Sequence, residues 1–228
     1  MISSNYKFIF IHNPKCGGTT IRNYIRPYCN WRSVPKRLEN LKEVRLFHHS
    51  HPKKVKKVLE EYTEEKFSDY TVFTTVRNPW DRMVSWWAYG HWSKNLMPWW
   101  EDDRTKNEDG SHKWWPGKDD SFRKTEVSFD YWIKKIEEQY NLFVFNAENF
   151  LYNDSKLLID KIIRMEDFNS KLFPFLKKIT SGFGPSEPTP LKFNKSNRDE
   201  YRSYYTSSTK EIVEKKFEKD IEIGRYIF

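Results

Sequence analysis

Residues 7–12, Lys-Phe-Ile-Phe-Ile-His, form an apolar run too short for a helix and rich in β-formers, so they predict a buried strand. A Pro-Lys step, a glycine pair and two threonines follow, and a helical pattern then covers about 19–28. A Lys-rich helix is expected over 53–62. Residues 71–76, Thr-Val-Phe-Thr-Thr-Val, predict a second buried strand. Asn78 is a good N-cap and Pro79 suits a first helical position, so a helix should occupy 79–90. Further along, 129–140 has helical spacing, 161–165 reads as a strand and 167–179 as a helix. The Gly- and Pro-rich stretch 182–190 is a loop. Closing helices fall at 197–205 and 208–220, the second with Ile212, Val213 and Phe217 on its apolar face. Strands alternating with helices predict an α/β fold whose central parallel sheet is flanked by helices. Neither a repeat nor a dividing linker is visible, so one domain over 1–228 is expected, with an irregular insertion at about 90–126.

The joint after the first strand carries the sharpest chemical signal. It reads His12-Asn-Pro-Lys15-Cys16-Gly17-Gly18-Thr19-Thr20, the layout of an anion cradle. Gly17 and Gly18 allow a tight turn that brings backbone N–H groups close to a ligand. Thr19 and Thr20 can cap the next helix and offer hydroxyls to a phosphate or sulfate, and Lys15 adds a full charge. The nucleoside-triphosphate loop G-x-x-x-x-G-K-[ST] is not matched, because this lysine precedes its glycines. A plain strand–turn–helix joint with turn glycines is the competing reading. A second block, Val76-Arg77-Asn-Pro-Trp-Asp81-Arg-Met-Val-Ser85, puts Arg77 at the carboxyl end of a strand, where open α/β sheets bind ligands. An arginine fork and the Ser85 hydroxyl suit a phosphate monoester; a surface pair between Arg77 and Asp81 is the alternative.

Taken together, these blocks resemble the family 2 sulfotransferases, the group related to heparan sulfate 2-O-sulfotransferase and to bacterial and phage-encoded relatives. That family's first loop reads approximately IPKTGGTS, matched by residues 13–20, and its second VRNPWDRxVSxY, matched by 76–87. Residues 191–201 resemble its LPHxNKSxRxxY segment, 163–168 its RFEDL step, and 204–228 its tyrosine-pair and Asp-Ile-Glu ending. The chain departs from the pattern with Cys16 for Thr, Phe193 where His is common, and a long insertion after residue 90. The resemblance implies a P-loop-like three-layer fold and sulfuryl transfer from 3′-phosphoadenosine-5′-phosphosulfate to an acceptor hydroxyl, that of a carbohydrate above all. It implies donor contacts from Lys15, Cys16, Gly17, Gly18, Thr19 and Thr20 at the phosphosulfate. Arg77 and Ser85 would bind the 3′-phosphate, with Lys195, Ser196 and Arg198 closing over the nucleotide. Lys15 would also neutralise charge on the breaking S–O bond.

An alcohol nucleophile needs a base, and histidine is the usual side chain near neutral pH. Three histidines fall together at His48, His49 and His51. The 2-O-sulfotransferase relatives carry an HxH pair in this interval, which matches His49 and His51. His49 is the expected base, with His51 as alternate or helper; a surface turn or half of a metal site fits the same residues. No companion Cys/His pair has zinc spacing, so no metal is expected.

Composition narrows the partners only slightly. Forty Lys plus Arg against 32 Asp plus Glu gives a formal charge of +8, useful for a polyanionic donor but shared by many nucleic-acid binders. Recognition signatures for nucleic acid are missing, and a kinase reading lacks both a Mg²⁺ site and a lysine after its glycines, so neither alternative is preferred. Eight of the ten tryptophans lie between Trp80 and Trp115. Trp92, Trp99, Trp100, Trp114 and Trp115 can stack on acceptor sugars or form a satellite core under a long loop. Cys16 and Cys29 make no disulfide framework, and neither a leader-like start nor an 18-residue apolar run is present, so a cytoplasmic protein without a membrane segment is expected.

Overall fold

Phe8, Ile9, Phe10 and Ile11 are all buried, and a strand apolar on both faces belongs inside a sheet covered from both sides. In the structure, a computed structural model that describes residues 1–29, 46, 49–88, 128–139, 146–153, 155–182 and 198–228, this is what they form. The strands are β1 (Ile2–Ser3), β2 (Phe8–Ile11), β3 (Thr71–Val76), β4 (Tyr152–Asn153), β5 (Lys156–Leu157) and β6 (Lys161–Arg164). β4 and β5 pair with each other, while the main sheet runs β1-β2-β3-β6. β2, β3 and β6 are parallel, and β1 is an antiparallel edge. The helices are α1 (Gly18–Ile25), α2 (Pro52–Tyr62), α3 (Pro79–Trp87), α4 (Phe129–Gln139), α5 (Ala147–Leu151), α6 (Phe173–Ile179), α7 (Ser207–Lys216) and α8 (Glu218–Gly224). The architecture is the expected α/β one, a mainly parallel sheet flanked by helices.

The described chain divides into two compact units, Met1–Arg77 with Phe145–Asn194, and Asn78–Val144 with Lys195–Phe228. The first holds the sheet. Phe8, Phe10, Phe73 and Ile163 share one face and pack with Ile21 and Ile25 of α1 and Leu176 of α6. On the other face Ile9, Ile11 and Val72 are equally buried. The register sets Ile11 beside Thr74 and Val76 beside Arg164. The carboxyl ends of β2 and β3 therefore emerge together, which is what places the loop after β2 next to Arg77.

The second unit is helical among its described residues. α3 packs against α4, α7 and a 3₁₀ turn at Tyr201–Tyr204. Trp80, Met83, Val84, Trp86, Trp132, Val213 and Phe217 supply buried apolar surface. Asn78 caps α3 by accepting from the N–H groups of Trp80 and Asp81, and its amide donates to the Tyr201 hydroxyl and the Ile227 carbonyl. The Trp80 indole N–H donates to the Lys210 carbonyl at 3.2 Å, and Tyr205 donates to the Trp80 carbonyl at 2.9 Å. Burial pushes the Tyr205 phenol far above its ordinary range, which keeps it a donor.

Several elements depart from the sequence reading, each for a local reason. The first helix tightens into a 3₁₀ turn at Arg26–Tyr28, where Pro27 cannot donate to the ladder. Before α6 the expected helix opens into a π turn, Phe168–Leu172. Pro174 has no N–H to give, and the Phe173 N–H reaches back to the Phe168 carbonyl instead. Of the helix expected over 197–205, the described residues 198–205 form only the 3₁₀ turn. Glu200 accepts from the Arg202 N–H and Tyr204 accepts from the Asp199 N–H, and such side-chain bonds compete with a helical ladder. The helix expected over 208–220 breaks at Phe217 into α7 and α8.

Candidate active site

After Ile11 the chain turns through residues 12–17 into α1. Lys15 has φ 62° and Gly17 φ 76°, whereas Cys16 and Gly18 stay at negative φ. Left-handed Lys15 and Gly17 bend the chain sharply into α1, and the Cys16 N–H closes the turn by donating to the Asn13 carbonyl at 3.4 Å. α1 begins at Gly18, with Gly17 as its N-cap and no side-chain cap. Thr19 and Thr20 are thus the second and third helical residues and do not cap it, contrary to the sequence expectation. First-turn N–H groups have no acceptor within a helix, so α1 presents its positive end here.

Each glycine is required for a different reason. Gly17 adopts a left-handed backbone, and a Cβ there would lie 2.7 Å from the Phe168 ring. A Cβ on Gly18 would lie 1.9 Å from the His12 ring, which stacks at 5.9 Å on Phe10. Gly18→Ala should therefore cost about 1–3 kcal/mol of folding stability through overpacking. In a His12→Ala background the same change should become neutral, or stabilising by up to about 1 kcal/mol, because Ala is the better helix former. Urea unfolding of the four proteins checks this, and equal cost in both backgrounds would refute the ring contact as the cause.

Beneath the loop, Arg164 and Lys171 converge on Asp167. Arg164 donates at 2.9 and 3.0 Å and Lys171 at 2.8 Å. Hydrogen bonds from Arg164 first and Lys171 second hold the Asp167 carboxyl down to about 2. This clamp fixes the turn that carries Phe168 under Gly17.

Four side chains of the first unit hydrogen-bond to the loop or to the strand end before it. Thr74 donates to the Ile11 carbonyl and Thr75 to the Cys16 carbonyl, both at 2.7 Å. Arg77, buried at the end of β3, donates Nη1 to the Lys15 carbonyl at 3.1 Å. His49 places Nδ1 at 2.9 Å from the His12 carbonyl, and the two rings lie 4.3 Å apart.

The two candidate bases differ in which nitrogen is committed. A carbonyl can only accept, so His49 must carry its proton on Nδ1, and the neutral ring then has its lone pair on Nε2. His51 is the reverse. It caps α2 by accepting the Lys53 N–H on Nδ1 at 3.0 Å, so its neutral ring is protonated on Nε2. Its ring also stands edge-on to Phe150 at 5.8 Å. Only His49 is in the tautomer of an Nε2 base.

In the second unit Ser85 is buried in α3. Asp81, considered above as a partner for Arg77, pairs with Arg198. Arg82 and Asp220 form a fully buried ion pair at 3.3 Å, and no sequence signal beyond their membership of the motif blocks announced it. Lys195, Ser196 and the tryptophans at 92, 99, 100, 114 and 115 lie outside the described residues. Cys16 and Cys29 are both thiols, and burial pushes Cys29 up to about 11, which makes it a poor nucleophile. Among the described residues no His/Cys/Asp/Glu cluster could hold a metal ion, and no helix is long and apolar enough to cross a membrane.

The family profile described as "Sulfotransferase family" matches residues 1–226. No curated protein sequence matches the chain.

Proposed function

This chain belongs to the sulfotransferase family, and from that premise we propose that it moves the sulfuryl group of 3′-phosphoadenosine-5′-phosphosulfate to a carbohydrate hydroxyl, with His49 as the base. Membership makes it a transferase of sulfuryl groups to a hydroxyl acceptor; the donor, the acceptor class and the base are the proposal. The observation that carries it is the bond from His49 Nδ1 to the His12 carbonyl, which sets the base tautomer at the first residue of the loop.

In this reading the loop's N–H groups, the start of α1 and Lys15 bind the phosphosulfate. His49 Nε2 takes the acceptor proton as the acceptor oxygen bonds to sulfur and the bond from sulfur to the bridging oxygen breaks. Sulfate ester and 3′,5′-adenosine bisphosphate leave. Lys15 and the N–H groups stabilise the negative charge that collects on the bridging oxygen, and each well-placed donor contributes about 3–4 kcal/mol to such a transition state. Cys16 offers no hydroxyl, and its own N–H is donated to the Asn13 carbonyl at 3.4 Å. By the family's motif order Arg77 and Ser85 are assigned to the 3′-phosphate, and Lys195, Ser196 and Arg198 to the nucleotide. A carbohydrate acceptor is favoured by the tryptophan-rich sequence after residue 90, since indole rings stack on sugar faces.

Thermal unfolding tests the donor assignment. 3′,5′-Adenosine bisphosphate at a hundred times its Kd should stabilise the protein by about 2.7 kcal/mol. Stabilisation by ATP–Mg²⁺ and not by the bisphosphate would move the chain toward phosphoryl chemistry and end this proposal.

A further inference from the structure

We propose that Thr75, to which neither motif assigns a role, is a positioning residue that fixes which way the Cys16–Gly17 peptide faces in the donor cradle. The proposal rests on the sulfuryl-transfer reading of that loop. Thr75 is fully buried near the end of β3, and its hydroxyl donates to the Cys16 carbonyl at 2.7 Å across 59 residues of sequence. No described peptide is cis, so a carbonyl drawn toward β3 sends the N–H of the same peptide, that of Gly17, to the opposite side. That is the N–H lying between left-handed Lys15 and the start of α1.

The orientation needs a latch because its neighbour is a glycine. Gly17 at φ 76° has no Cβ, and the peptide before it can rotate at little steric cost. A rotated peptide would present the Cys16 carbonyl where the donor's anionic oxygens are to sit, replacing an attraction with a repulsion. Arg77 treats the preceding peptide in the same way, donating to the Lys15 carbonyl at 3.1 Å. Two successive loop carbonyls are therefore drawn onto the end of β3. Lys15 can hold its left-handed backbone, a conformation unfavourable for a residue with a Cβ, because the structure around it is over-determined.

Thr75→Val keeps the side chain's shape and removes the hydroxyl, whereas Thr75→Ser keeps the hydroxyl and removes a methyl. In a nucleotide-free crystal structure of Thr75→Val the Cys16 carbonyl should be rotated off β3. Its kcat should fall on the order of 100-fold, the loss seen when one oriented donor is removed from a transition state. Its affinity for 3′,5′-adenosine bisphosphate should fall on the order of tenfold. Thr75→Ser should match wild type in all three. A Thr75→Val protein with an unmoved carbonyl and wild-type kcat overturns the proposal. So does a serine variant as impaired as the valine one, since packing would then be the cause. Should the valine variant not fold, Thr75→Ala is read the same way. If wild type does not bind the bisphosphate, the sulfuryl-transfer reading fails, and the crystal structures still decide the latch.

Discussion

His49→Ala will lower kcat about 1,000-fold, the middle of the range for losing a positioned base, while the protein stays folded. The expectation follows from two hydrogen bonds. His49 gives its Nδ1 proton to the His12 carbonyl, which orients the ring and leaves the basic lone pair on Nε2. His51 spends Nδ1 accepting from the Lys53 N–H at the start of α2, so the nitrogen it could turn to an acceptor already carries the proton. His51→Asn, which can still cap the helix, should keep both turnover and melting temperature near wild type. His51→Ala should keep turnover and lose about 1 kcal/mol of stability with the cap. Steady-state kinetics alongside thermal melts separates these cases. A fully active His49→Ala with a dead His51→Asn would reverse the assignment.

Asp220→Ala will cost about 3–5 kcal/mol, the penalty for breaking a buried pair by removing one partner. Native domains are stable by only about 5–15 kcal/mol, so this one change removes a large share of the total. Arg82 is 0 % exposed and Asp220 1 % exposed, and their atoms lie 3.3 Å apart. Water cannot compensate the guanidinium once that carboxylate is gone. The double variant Arg82→Met/Asp220→Leu should recover most of the loss, because apolar residues of similar volume can replace a buried pair at little cost. Guanidinium-chloride unfolding of the three variants measures the difference. An Asp220→Ala protein as stable as wild type would show that the pair is dispensable.

Much of this was readable in residue order. β3 falls at Thr71–Val76, as the β-branched run predicted, and α3 begins at Pro79 behind the Asn78 cap. Both signals are local: a run of apolar β-formers has one use, and a cap acts on N–H groups two or three residues away. The joint between β2 and α1 was visible for the same reason, since lysine, glycines and helix start are neighbours. The reading failed where a side chain some distance away set the outcome. β1 is two residues long and shows no periodicity, so only its pairing with β2 reveals it. α7 and α8 look like one amphipathic helix until the break at Phe217 is seen to place Asp220 against Arg82.

What the amino-acid order settled is the alternation of strands and helices, the glycine-bearing joint between β2 and α1, and the family to which they point. Folding settled the chemistry of the individual groups. His49 and the His12 carbonyl are 37 positions apart, Thr75 and Cys16 59, and Arg82 and Asp220 138. Hydrogen bonds and ion pairs over such separations leave no periodic trace in a chain. They depend on parallel register and burial, which exist once the sheet and helices have packed.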